Sequence, residues 1–238
     1  MNTWASIVPL IGGETIAMEN IFKTKPKYFL TFDGFQANEE HLQNYYNYEV
    51  PYLNLSKGEN PNESVDVVNT VCPCAGLSSL SPQAASNSPM NDWMIKSAEY
   101  VLAEVQPKVF WGENAPRLAS KMGEPVVKRL RKIGEANGYT FSIFKTKSLL
   151  HGLSQVRDRT FYFFWKGDKV PLLEYIDRKP STIADDIRAV QEDYNDPMSM
   201  ILTNDKTPSE EPYYKYILEE LEGGITHAEF AAKLTKST

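Results

Sequence analysis

Two cysteines stand one residue apart in DVVNTVCPCAGLSSLS, the stretch from Asp66 to Ser81. A valine-rich run leads into Cys72, Pro73 follows, and Cys74 then heads a series of small residues. Proline fixes one backbone angle, and Ala75 and Gly76 leave room for a ligand to approach. A thiol presented at the end of a strand is a candidate nucleophile. Only a thiolate is both a strong nucleophile and a competent leaving group near neutral pH. A lone cysteine after proline is also a common structural residue. Cys72, inside the apolar run, reads as a small buried hydrophobe.

Two later segments supply partners. Glu113 ends the run PKVFWGE, where α/β sheets place ligand-facing groups. A carboxyl there bonds a ring nitrogen and an exocyclic amine when protonated, and holds only the amine when ionised. A helix cap or a surface ion pair is the competing reading. Arg157 and Arg159 alternate in RDR, share one face of an extended chain, and suit a phosphate or the rim of a base pocket. A solvated edge strand accounts for them equally well. Gly12-Gly13 after SIVPLI, with Asp33 about twenty residues on, fit a cofactor loop and a ribose-binding carboxylate. A plain glycine turn is the alternative. Together these residues suggest covalent catalysis on a flat, electron-poor ring.

The 238 residues suffice for one substantial core with an appendage. No apolar run is long enough to span a membrane, and the start of the chain lacks a basic region. With only Cys72, Cys74, His41, His151 and His227 available, no metal site is expected. With a single residue between them the cysteines are not expected to pair with each other, which argues for a reducing compartment. The net charge of −6 is unevenly spread. Residues 108–159 hold eleven Lys or Arg against four Asp or Glu, whereas residues 185–238 hold five basic and twelve acidic. The expectation is a positive region about the site and an acidic tail segment.

The elements that must position these groups follow in order. Residues 5–11, 27–33, 49–55 and 65–71 read as strands, with helices after the first glycines and over 38–48. The small-residue segment 78–92 reads as a mobile loop. A helix over 92–106 with Asp92 as its cap follows, then a strand to Glu113 and an amphipathic helix ending at Asn137-Gly138. The aromatic runs at 140–150 and 159–166 flank HGLSQVRD and predict an antiparallel pair at one sheet edge. The fold class is therefore α/β, a Rossmann-like, mostly parallel sheet covered by helices on both faces. Its expected extent is residues 1–167. Residues 168–238 read as a helical or irregular acidic extension, with a helix capped by Ser181.

The order Pro-Cys, Glu-Asn, Gln-x-Arg-x-Arg resembles the DNA (cytosine-5) methyltransferase family, over roughly residues 5–166. The motifs stand as PCA at 73–75, ENA at 113–115 and QVRDR at 155–159. The resemblance implies a Rossmann-like domain that uses S-adenosylmethionine, held by Gly12, Gly13, Asp33 and Asn54, and a cytosine flipped out of DNA. It implies that Cys74 attacks C6, Glu113 engages N3 and the amine, Arg159 contacts O2, and Arg157 supports the pocket. Ser78, in the loop after Cys74, would contact the DNA backbone. The departures lie mostly where the cofactor binds. Val8 and Leu10 replace the Phe and first Gly of Phe-x-Gly-x-Gly-Gly, Asn54 replaces an Asp, and Ala75 and Ala115 replace Gln and Val. Weak cofactor binding is the expectation. No recognisable target-recognition region follows, so a second subunit or self-association is expected to supply it. The expected location is the cytoplasm of a bacterium or of a phage-infected host. Two alternatives stay open: a catalytically silent DNA-binding or regulatory homologue, and a cysteine-dependent enzyme that modifies C5 of a pyrimidine nucleotide with another donor.

Overall fold

A computed structural model describes residues 2–10, 12–34, 39–82, 84–176 and 182. Seven strands form one sheet: β1 (Trp4–Ile7), β2 (Phe29–Thr31), β3 (Tyr52–Asn54), β4 (Val67–Thr70), β5 (Val109–Asn114), β6 (Thr140–Lys147) and β7 (Asp158–Trp165). The spatial order is β3-β2-β1-β4-β5-β7-β6. Strands β1 to β5 pair in parallel, and β7 runs antiparallel between β5 and β6. The expected α/β class and the edge hairpin are both present. The chain divides into two compact units, residues 1–180 and 181–238. The helix expected at Ser181 and the later ones lie outside the described residues.

Four helices interleave with the strands: α1 (Gly13–Phe22), α2 (Glu39–Tyr45), α3 (Asp92–Tyr100) and α4 (Glu124–Ala136). Alternation along the strands assigns their faces. Ala5, Ile7, Leu30, Val68 and Phe110 point into one core with residues of α3 and α4. On the other face Phe29 packs with Leu42 of α2, and Trp4 stacks on Phe22 of α1 with ring centroids 6.5 Å apart. Helices thus cover both faces, and the parallel strands bring their carboxyl ends to one edge of the sheet.

Three local expectations need correction. The apolar run 5–11 leaves the sheet after Ile7, because Val8 and Leu10 take the left-handed backbone, with φ 53° and 42°. Asp92 is the first residue of α3 rather than its cap; the capping position is Asn91, and Asp92 pairs instead with Arg129 of α4 at 3.1 Å. The helix over 92–106 is not uniform either, since α3 passes into a π-helical turn at Val101–Val105. That turn keeps Val101, Leu102 and Val105 all buried before the chain reverses at Gln106.

The centre of the sheet depends on a missing side chain. Gly112 of β5 lies between Thr70 of β4 and Tyr162 of β7, and the Tyr162 ring occupies the space a Cβ on Gly112 would need. The Tyr162 hydroxyl is buried without a hydrogen-bond partner, and burial pushes its pKa well above the usual tyrosine value. Gly112→Ala should therefore destabilise by about 1–3 kcal/mol through overpacking. Tyr162→Phe, which deletes an unsatisfied buried group, should leave stability unchanged or raise it by about 1 kcal/mol. Urea unfolding measures both; an unaltered midpoint for Gly112→Ala would show that the ring does not pack there.

Candidate active site

Strand β4 ends at Thr70, and the chain then runs through Val71, Cys72 and Pro73 to Cys74. Cys72 is buried and Cys74 exposed, both as free thiols. The Cys72 sulfur lies 3.2 Å from the Thr70 hydroxyl and 3.8 Å from that of Ser97. Burial pushes the Cys72 thiol up to about 11, which leaves it a neutral packing group. Residues two apart in a strand would share a face, but the chain has left β4 at Thr70 and passes through Pro73, so one thiol is buried and the other exposed.

A buried amide fixes the turn. Asn114, the last residue of β5, donates from Nδ2 to the Cys72 carbonyl at 3.3 Å and accepts the Ala115 N–H through Oδ1 at 2.8 Å. The segment that presents Cys74 is thereby tied to the strand end that presents Glu113. After Cys74 the chain turns at once, with the Leu77 N–H bonded to the Cys74 carbonyl at 2.9 Å. The base of the following loop is laced by Asn91, whose amide donates to the carbonyls of Ala85 and Ser86 at 3.0 and 3.2 Å. Arg117 reaches the Ser78 carbonyl at 3.2 Å, while Leu80 near the tip is 92% exposed.

Glu113 meets Arg159 across the antiparallel pair of β5 and β7. The Arg159 Nε lies 2.5 Å from Glu113 Oε1, with the side chains 21% and 20% exposed. The N–H does not align on this oxygen, which accepts no hydrogen bond, so the contact is a close charge pairing. Burial pushes the Glu113 carboxyl up to about 7 against the opposing charge of Arg157. The Arg159 charge opposes the rise as well. Arg157 is held on the β6–β7 connection by Ser148, whose hydroxyl accepts the Arg157 N–H at 3.0 Å. His151 braces the same connection through the Thr146 hydroxyl and the Glu174 carbonyl, at 2.8 and 3.0 Å. One sheet edge thus gathers an exposed thiol, a half-buried carboxyl near neutrality and two guanidinium groups. The surrounding positive charge is partly cancelled. Of the eleven basic residues in 108–159, Lys108, Lys128, Arg129 and Arg159 sit in ion pairs.

The expected cofactor residues lie at the ends of β1, β2 and β3, on the far side of β4 from Glu113. Gly12 adopts φ 85°, a conformation that favours glycine, and Leu42 of α2 fills the space beside it. Gly13 is open, with nothing within 4 Å of a Cβ position. Asn54 Nδ2 donates to Asp33 Oδ1 at 2.8 Å, and Asn54 Oδ1 accepts the Ser56 N–H at 3.0 Å. Asp33 is exposed and keeps most of its acceptor capacity for ligand hydroxyls. Leu10 takes the left-handed backbone, with φ 42°. The exposed Asp33 carboxylate, the Asn54 amide and the open Gly13 offer acceptors and room that fit an adenosine-type cofactor. Three residues at these sites escaped the sequence reading. Glu14 was hidden by its resemblance to an ordinary helix-start acid, and Asn91 and Arg117 had no pattern to mark them. Among the described residues no group of three or more His, Cys, Asp or Glu could hold a metal ion, and no helix is long and apolar enough to cross a membrane.

The fold has solved counterparts. A protein described as a DNA modification methyltransferase encoded within a prophage, from E. coli, superposes with TM-score 0.54 at 15% identity, over 79% of this chain and 54% of its own. The methyltransferase EhMeth of Entamoeba histolytica superposes with TM-score 0.56 at 16% identity, over 78% of this chain and 59% of its own. The chain therefore spans between half and three-fifths of the length of these relatives. At such identities the likeness establishes the S-adenosylmethionine-dependent methyltransferase fold. No curated protein sequence matches the chain. The model of the C-5 cytosine-specific DNA methylases matches residues 12–232, nearly the whole length, and the chain belongs to that family.

Proposed function

We propose that the chain methylates C5 of cytosine in DNA through a covalent bond between Cys74 and C6. The observation that carries this reading is the Asn114–Cys72 bond, which ties the segment presenting an exposed thiol to the strand end bearing Glu113. The Cys74 thiolate attacks C6 of a flipped cytosine, and the ring electrons move toward C5 while Glu113, in its protonated form, stabilises the charge at N3. Gly12, Gly13, Asp33 and Asn54 would hold S-adenosylmethionine, which would supply the methyl group that C5 takes up. Loss of the C5 proton then returns the electrons to the ring, and Cys74 leaves as thiolate. Arg159 turns from Glu113 toward O2 of the base, and Arg157 holds the rim of the pocket. Both guanidinium groups remain charged throughout.

Recognition of the bases around the target is assigned to a second polypeptide or a second copy of this chain. Among the described residues the loop after Cys74 and the β6–β7 connection adjoin the site, a narrow surface for reading base edges. The isolated chain should bind duplex DNA weakly and without sequence preference, and form a defined complex with a partner or itself. Light scattering after size exclusion, with and without duplex, measures this. A strict monomer that alone methylates one defined site would refute the assignment.

With the methyl donor present, DNA containing 5-fluorocytosine should form a denaturation-resistant adduct, because fluorine cannot leave as a proton does. Cys74→Ser should abolish it, and Cys72→Ser should keep it with some loss of stability. Mass mapping of the link to any other residue would sink the mechanism. Trapping by a free fluoropyrimidine nucleotide in place of DNA would move the reading to the nucleotide level.

Glu113 sets a pH dependence whose sign follows from its raised carboxyl. Its acid form is present below about 7 and is lost as pH rises through that value, so its contribution to adduct formation falls on the alkaline side. Glu113→Gln should slow the adduct by about a hundredfold and remove that alkaline decline. A decline of unchanged shape in the variant would assign it to another group.

A further inference from the structure

We infer that Glu14 supplies the negative charge by which the cofactor site favours the cationic methyl donor over its neutral, demethylated product. This rests on the proposed placement of the donor at Gly12, Gly13, Asp33 and Asn54. Glu14 is the second residue of α1, directly after the glycine pair at the end of β1, and is half-buried. The helix stacks Phe22 on Trp4, on the sheet face that also carries Glu113, and the Glu113 charge acts on the Glu14 carboxyl.

An acid in the first turn of a helix ordinarily complements the helix dipole from an exposed position. Glu14 departs from that pattern. Among the described residues no Lys, Arg or His pairs with it, and its carboxyl bonds only locally, with its own backbone and, at 3.4 Å, with the buried Thr15 hydroxyl. A half-buried carboxylate beside a second carboxylate costs stability unless a cation arrives. The donor brings such a charge on its sulfur and loses it with the methyl group, while the rest of the molecule stays the same. A fixed carboxylate can therefore discriminate the two without any difference in shape, and it loosens the product once transfer is complete.

The charge is switchable. Burial pushes the Glu14 carboxyl up to about 7, with bonds to its own backbone and to Thr15 opposing and the Glu113 charge adding to the rise. Thr15 on α1 and Glu113 on β5 are the groups that act on it, and Arg157 and Arg159 beyond Glu113 stay cationic throughout. Glu14 is ionised above about 7, so the preference for the cation grows as pH rises through that value and fades below it.

The test is calorimetric titration of the full chain with S-adenosylmethionine and, separately, S-adenosylhomocysteine, at pH 6 and pH 8.5. The wild type should favour the cationic ligand by about tenfold more at the higher pH. Glu14→Gln should remove that gain, and Glu14→Asp should restore part of it. Both ligands carry amino groups that titrate, so the comparison is wild type against Glu14→Gln at each pH. Equal ratios in the two proteins at both values would overturn the role of Glu14 while leaving the donor site in place. Failure of the wild type to bind either ligand would overturn the donor site itself, and this inference with it.

Discussion

One buried hydrogen bond, from the Asn114 amide to the Cys72 carbonyl, makes the ends of β4 and β5 a single unit. Inside the sheet the two strands are already joined by their parallel ladder. That ladder stops at Thr70 and Gly112, where the chains would otherwise diverge as each leaves for its own helix. Asn114 extends the pairing beyond the ladder by substituting a side-chain donor for a backbone one. Because it is fully buried, breaking this bond exposes nothing to water and leaves both groups unsatisfied. Cys74 and Glu113, one on each side of the bond, inherit a fixed relationship from it.

The electrostatics of the site are set by burial more than by charge count. Glu113 has two guanidinium neighbours and still keeps a carboxyl near neutrality, because the half-buried position penalises the anion. Cys72 shows the same force without relief: fully buried, it is held as a thiol. Cys74, two residues later, lies in solvent. A shift of two residues along one turn therefore separates a packing group from a reactive one. The positive region about the site is weaker than the residue count implies, since ion pairs on both sheet faces absorb part of it.

Much of this was legible in the sequence where a local pattern has a local cause. The valine run of β4, the proline between the cysteines and the position of Glu113 at a strand end each follow from neighbours along the chain. The hairpin of β6 and β7 was legible for the same reason, two aromatic runs joined by a short connection. What escaped depends on contacts across the fold. Asp92 prefers Arg129 on the next helix to capping its own. The π-helical turn at Val101–Val105 leaves no mark in the hydrophobic spacing, because Val101, Leu102 and Val105 would share the buried face of a regular helix as well. Gly112 has no sequence signal for the ring that crosses it, and the insertion of β7 between β5 and β6 is invisible to any pattern of hydrophobicity.

The loop after β1 shows the backbone and the side chains answering to different demands. Val8 and Leu10 both occupy the left-handed region, which costs a residue with a Cβ about 1–2 kcal/mol and a β-branched one more. Val8 persists there because its side chain is fully buried and its N–H is bonded to the Leu30 carbonyl at 2.8 Å. Leu10 packs against the same core. The loop thus takes a left-handed course at two positions whose side chains pack into the core. Strain of this kind holds only where surrounding contacts over-determine it. The side chains that cause the strain are also the ones that anchor the loop, so the left-handed course is retained and leads into Gly12 and the open start of α1.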